Sequence, residues 1–143
     1  MGIERIFLSD DAATAALGDR LAAELKPGSL VLLQGGLGAG KTALARAVIR
    51  ALVDDPRLDV PSPSFALVQP YDAATGPVLH ADLYRLGGPR EADELGLFDR
   101  PEAIIIVEWP ERAGNELLSR SDAMLVTLSI PSDGQGRVAE IAR

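Results

Sequence analysis

The stretch Gly35-Gly36-Leu37-Gly38-Ala39-Gly40-Lys41-Thr42 constrains the fold most, because it fits G-x-x-x-x-G-K-[ST] and joins two segments of different hydrophobic period. Before it, Leu30-Val31-Leu32-Leu33 is a continuous apolar run set off by Pro27-Gly28, the pattern of a strand buried on both faces. After it, Thr42 to Val53 is rich in helix formers, with Leu44, Val48, Ile49 and Leu52 at helical spacing and Arg46 and Arg50 on another face. Strand, glycine-rich turn and helix in that order read as a P-loop. A triphosphate must be approached there by bare backbone, so glycine stands where a side chain would obstruct, and successive N–H groups form an anion nest at the helix N-terminus. On this reading Lys41 sets a positive charge on the β and γ phosphates, and the Thr42 hydroxyl ligates the Mg2+ that bridges them.

The rest of the chain alternates strand-like and helix-like segments around that unit. Residues 3–8 read as a first strand, and Ser9-Asp10-Asp11 opens a helix with Leu17, Leu21 and Leu25 on one face, closed by Lys26-Pro27-Gly28. Asp54-Asp55-Pro56 breaks the helix after the loop, and two prolines hold Pro61-Ser62-Pro63-Ser64 extended. Residues 65–69 and 78–84 are strand-like runs separated by 72–76, which predicts an antiparallel hairpin. A short acidic helix is expected around residues 91–95. Ala103-Ile104-Ile105-Ile106-Val107 is the most β-branched apolar run and predicts a central strand that ends in Glu108-Trp109-Pro110. A helix over 111–118, a strand over 123–130 and a hairpin partner over 137–141 complete the pattern. It predicts one domain over residues 1–143 of the α/β class, P-loop NTPase-like, with a mainly parallel sheet, antiparallel additions and helices on both faces.

Composition excludes several function classes. Zero cysteines rule out disulfides, thiolate metal ligands and a cysteine nucleophile. The formal net charge of −7 and only two lysines, Lys26 and Lys41, argue against an autonomous nucleic-acid binder, whose affinity comes from clustered basic residues. No apolar run approaches the ~18 residues of a membrane span, and Met1-Gly2-Ile3-Glu4-Arg5 lacks a signal-peptide pattern. The expected setting is therefore the cytoplasm, with no membrane partner.

A P-loop needs a carboxylate near its metal, and in such folds one comes from the C-terminal end of a neighbouring apolar strand. Glu108 satisfies that rule, against the plainer alternative of a charged residue opening a surface loop. Asp82, near the end of another expected strand, is its competitor for the ion's water shell or the attacking water. His80 is the only histidine and reads as a packed or surface residue rather than a base. Trp109, the only tryptophan, is either core, a cover for nucleotide or a contact for a partner.

Taken together, Gly-Leu-Gly-Ala-Gly-Lys-Thr at 36–42, Ser62-Pro63-Ser64-Phe65, His80-Ala-Asp-Leu-Tyr-Arg-Leu86, Glu94-Leu95-Gly96 and Glu108-Trp109-Pro110-Glu111-Arg112 resemble the bacterial tRNA threonylcarbamoyladenosine biosynthesis ATPases of the TsaE (YjeE) family. The resemblance covers nearly the whole chain. It implies an ATPase using ATP and Mg2+ with two partner proteins, TsaB and TsaD, that install threonylcarbamoyl on adenosine 37 of ANN-decoding tRNAs; tRNA is met only through that complex. The resemblance implies a role in resetting that machinery between rounds rather than in transferring the group. By position, Lys41, Asp82 and Glu108 are implied to act in catalysis and Thr42 and Glu108 to hold the metal. Thr14, Leu37, Gly38, Ala39, Gly40, Lys41, Thr42, Ala43 and Trp109 are implied to lie against the nucleotide. The Ser62 to Phe65 segment is implied to be a nucleotide-sensing switch. Gly36, Ala43 and Ser64 depart from the usual pattern, and Ala43 removes one phosphate hydrogen bond of about 0.5–1.5 kcal/mol.

Three rival readings share the loop. A switch GTPase fits Asp93-Glu94-Leu95-Gly96 but requires an Asn-Lys-x-Asp motif that neither lysine provides. A small P-loop kinase needs a second pocket and an arginine-bearing lid, for which the chain leaves little room. A nucleotide-gated assembly module with little turnover differs from an ATPase only in rate.

Overall fold

The computed structural model describes residues 2–143. In chain order the elements are β1 (Ile3–Leu8), α1 (Asp11–Glu24), β2 (Leu30–Gln34), α2 (Lys41–Val53), β3 (Val68–Ala73), β4 (Gly76–Asp82), α3 (Pro89–Glu94), β5 (Ile104–Glu108), a 3-10 turn (Pro110–Ala113), α4 (Asn115–Leu118), β6 (Ala123–Ser129) and β7 (Arg137–Ala142). The strands form one seven-stranded sheet in the order β1-β7-β6-β2-β5-β4-β3. β6, β2, β5 and β4 run parallel to one another, while β1 and β7 on one edge and β3 on the other pair antiparallel. The parallel part is thus confined to the four strands around the glycine loop, and the additions take half of the six ladders.

Alternation along the strands feeds two cores. Val31 and Leu33 of β2, Ile104 and Ile106 of β5, Val78 of β4 and Val126 and Leu128 of β6 pack with Leu17 and Leu21 of α1 and Leu44, Val48 and Ile49 of α2. Leu30, Leu32, Ile105 and Val107 point the other way, to Leu86, Leu97 and Leu117 around α3 and α4. Helices therefore lie on both faces, long ones on the first and short ones on the second. Asp10 caps α1, its carboxylate accepting from the Ala13 N–H at 2.9 Å.

Two local expectations are corrected. Residues 65–67 are not strand: Phe65 lies in a turn closed by the Leu67 N–H on the Pro63 carbonyl at 2.7 Å, and Leu67 has a φ of +68°, so β3 begins at Val68. The hairpin turn tightens accordingly to Ala74-Thr75. The helix expected over 111–118 is split, because Gly114 at φ +89° ends the 3-10 turn and starts α4 afresh.

Candidate functional site

β2 runs out at Gln34 directly into the glycine loop. A Cβ at Gly35 would stand 2.5 Å from the Leu128 carbonyl oxygen, so glycine is required there by the seat of the loop against β6. Gly38 and Gly40 have φ of +76° and +103°, conformations that favour glycine. Gly40 is the N-cap of α2, and no side chain makes a cap hydrogen bond there to the first N–H groups of the helix.

Among the described residues, the buried polar or charged side chains are Lys41, His80, Asp82 and Glu108, and all four gather at this loop. Burying charge is costly unless it is paired, and each of these is engaged. Lys41 Nζ donates to the Gly35 and Gly36 carbonyls at 2.7 and 2.8 Å and lies 3.9 Å from the centroid of the Trp109 ring. Burial pushes the Lys41 ammonium below its ordinary pKa, and the carboxylates of Glu108, Glu111 and Asp82 pull it back up. Thr42 Oγ1 donates to Glu108 Oε1 at 2.7 Å, and His80 Nε2 is 2.6 Å from Glu108 Oε2. Asp82 accepts from Ser62 Oγ at 2.8 Å and from the Tyr84 N–H at 2.9 Å. The two carboxylates therefore divide: Glu108 meets α2, and Asp82 ties down the Pro-Ser-Pro-Ser segment.

Register explains the gathering. Asp82 of β4 lies opposite Glu108 of β5, and Leu33 of β2 is opposite Glu108 on the other side. Opposed residues share a sheet face, here the α2 face, and all three strands end together. A cleft of about 370 Å³ opens there, lined by Leu37, Gly38, Gly40, Lys41, Thr42, Ala43, Asp82, Glu108 and Trp109 among others. Ala39 is buried with the core, and its N–H turns back to the Gly36 carbonyl at 3.2 Å. Leu37 is 71% exposed at the tip of the loop. Thr14 stands apart. It lines a larger groove of about 500 Å³ between α1 and α2, which adjoins the cleft at Ala43.

Trp109 has the left-handed φ of +58°, rare for a bulky residue, and this turn lays its ring over Lys41 and beside Tyr84, with ring centroids 4.8 Å apart. Arg112 stacks on Tyr84 at 4.9 Å and Arg85 on the exposed Phe65 at 4.2 Å, so both nearby arginines are held on aromatic rings at the rim. Sequence reasoning missed the His80–Glu108 bond and the contact of Arg137 Nε with the Gly38 carbonyl at 3.1 Å. The first had a signal in the two-residue spacing of His80 and Asp82 on one strand face; the second had none.

The donors suit one kind of metal. Among the described residues no three His, Cys, Asp or Glu gather as a cage. Thr42 Oγ1 and Glu108 Oε1 are two hard oxygens 2.7 Å apart, close to the ~2.9 Å between neighbouring ligands of an octahedral ion with ~2.0–2.1 Å bonds. That set fits Mg2+, which takes few protein ligands and keeps water and phosphate for the rest.

Fold and site define a class: a mixed α/β protein in which an uncapped helix N-terminus, a buried lysine and buried carboxylates meet beyond the carboxyl ends of parallel strands, where open α/β sheets bind ligands. The family model for threonylcarbamoyl adenosine biosynthesis protein TsaE matches residues 8–138, and the chain belongs to the TsaE family. It is 38% identical over 107 residues to the tRNA threonylcarbamoyladenosine biosynthesis protein TsaE of Rickettsia felis, covering 74% of this chain and 62% of that protein. To the protein of the same name from Rickettsia conorii it is 40% identical over 105 residues, covering 73% and 59%. The one from Aquifex aeolicus is 34% identical over 110 residues, covering 77% and 79%. The match thus spans about 60% of the length of the two Rickettsia relatives. The crystal structure of Bacillus subtilis YdiB has the same fold, with a TM-score of 0.74 over 99% of this chain and 86% of that one at 24% identity. No helix among the described residues is long and apolar enough to cross a membrane.

Proposed function

We propose that this chain is a P-loop NTPase-like, Mg2+-dependent ATPase that acts with TsaB and TsaD in making N6-threonylcarbamoyladenosine at position 37 of ANN-decoding tRNAs in the cytoplasm. The observation that carries the reading is the convergence of the buried charges Lys41, Asp82 and Glu108 with Thr42 on one cleft at the uncapped start of α2. In it, the loop amides and α2 N-terminus receive the phosphates, and Lys41 leaves the Gly35 and Gly36 carbonyls for the β and γ oxygens. Thr42 and Glu108 would hold Mg2+, whose chemistry there is to neutralise charge on the phosphates. Asp82, fixed by Ser62 and the Tyr84 N–H, would orient the attacking water. Water adds to the γ phosphorus, the bond to the β–γ bridging oxygen breaks, and ADP and phosphate leave. Thr14 and Ala43 support a base running from the cleft toward the α1–α2 groove.

Positive charge on the transition state accelerates such transfer, commonly from an arginine. Arg85 and Arg112 are instead stacked on Phe65 and Tyr84, so turnover by the isolated chain is slow and rises when a partner closes over the rim. Hydrolysis measured with and without TsaB and TsaD tests this: stimulation of about tenfold or more is expected, with Phe65→Ala losing most of it. Fast turnover indifferent to both proteins contradicts the reading, and undetectable turnover with them leaves a nucleotide-gated assembly module in its place.

A further inference from the structure

Of the four buried polar or charged side chains that gather near the loop, His80 is the one left without a task in the proposed reaction. It has no exposed surface and does not line the cleft. Its two ring nitrogens are treated unequally: Nε2 is 2.6 Å from Glu108 Oε2, whereas Nδ1 is buried with no partner. A side chain present only for packing would fill this space without burying an unpaired nitrogen. The single bond that His80 makes goes to the far oxygen of a carboxylate whose near oxygen, Oε1, already accepts from Thr42 at 2.7 Å. Glu108 thus has one oxygen turned to the cleft and the other held inside the sheet. Register keeps it so, because His80 lies opposite Ile106 on the strand that carries Glu108 two residues later.

We propose that His80 is a positioning residue that restricts Glu108 to one cleft-facing oxygen and thereby makes the site select a small divalent cation over a large one. The proposal rests on the reading of the cleft as a metal–triphosphate site. Mg2+ takes single oxygens at about 2.0–2.1 Å in an octahedron, while Ca2+ takes six to eight at about 2.3–2.6 Å and often both oxygens of a carboxylate. With Oε1 on Thr42 and Oε2 on His80, two-oxygen use of Glu108 requires turning Oε2 toward the cleft and away from the imidazole, which would leave both ring nitrogens buried and unpaired. Partners behind a metal ligand that fix its orientation commonly change metal affinity by about 10–100-fold when removed.

His80 is the only histidine, so imidazole nitrogen NMR of the intact wild-type chain reports on it without ambiguity. An Nε2–H in slow exchange is expected, shifted by Glu108→Ala and preserved when a non-hydrolysable ATP analogue and Mg2+ are added. An Nε2–H signal unchanged by Glu108→Ala overturns the proposal, whatever the variants of His80 do. Affinity for the analogue, read with Mg2+ and then with Ca2+ through Trp109 fluorescence, supplies the second arm. The preference for Mg2+ is expected to shrink about tenfold in His80→Leu, which fills the space without a donor. His80→Gln, whose amide still donates toward Oε2, is expected to retain it. A folded His80→Leu with the wild-type preference overturns the role of His80 alone. Failure of the wild type to bind the analogue with Mg2+, with the Nε2–H bond intact, instead overturns the reading of the cleft on which selectivity depends.

Discussion

Lys41 is 5% exposed, and that burial sets its pH behaviour. Desolvation lowers its pKa from the ordinary 10.5, against the opposing pull of Glu108, Glu111 and Asp82. The unfolded chain keeps the ordinary value, so between the lowered value and 10.5 the folded state binds fewer protons than the unfolded one. Through this group, stability therefore rises with pH across that window, and triphosphate affinity falls as the amine loses its charge. Urea unfolding of wild type and Lys41→Met at a series of pH values up to 10.5 checks the first half: the difference between them should move in favour of the wild type as pH rises, and a constant difference contradicts it. Four of the side chains that gather at the loop were legible in the sequence as its neighbours. Lys41 and Thr42 belong to a spaced motif, and Asp82 and Glu108 end apolar strands. The spacing of His80 and Asp82 put both on one strand face, but His80 as the partner of Glu108 also requires the register of β4 against β5, which no local pattern contains. Trp109 gave no sign of its left-handed backbone either, since side-chain type alone argues against it.

Among the elements, the α1–α2 pair shows how tightly the helical layer is set. Gly18 of α1 lies against Ala47 of α2, and a Cβ there would come 2.4 Å from the Ala47 Cβ and 2.8 Å from its carbonyl carbon. Alanine at position 18 gains about 1 kcal/mol in helix propensity but forces a backbone shift of about 1–3 kcal/mol. Gly18→Ala is therefore expected to lower the thermal midpoint, and a raised midpoint would show that the helices separate freely at this point. Wherever a long period or a run of β-branched residues dominated, the elements matched expectation: α1, α2, β2, β5 and β6 all fall within a residue or two of it. The failures lie where a single backbone torsion decides. Phe65-Ala66-Leu67 has strand composition but follows two prolines and turns at Leu67. Residues 111–118 have helical composition, yet Gly114 adopts a φ of +89° and breaks them into a 3-10 turn and α4.

At the scale of the whole molecule, charge bears first on what the chain can hold by itself. A net charge of −7 with no basic stripe gives little purchase on a phosphate backbone, so the purified chain is expected not to bind tRNA measurably in filter or gel-shift assays at physiological salt. Tight, salt-sensitive binding would contradict that. Leu37 and Phe65 are 71% and 83% exposed beside the cleft, and a partner that covers them would also meet the stacked arginines. The fold class followed from the alternation of periods, but the extent of the antiparallel edges did not, because β1 is joined to the sheet by β7 from the far end of the chain. The proposed function requires one Mg2+–triphosphate site at the start of α2. Calorimetric titration of ATP with and without Mg2+ into wild type, Lys41→Ala and Glu108→Ala addresses it directly. One ATP per chain is expected, weakened at least about tenfold, or ~1.4 kcal/mol, by Lys41→Ala, with Glu108→Ala abolishing the gain from Mg2+ while leaving the metal-free affinity largely intact. Unchanged ATP affinity in a folded Lys41→Ala would contradict it.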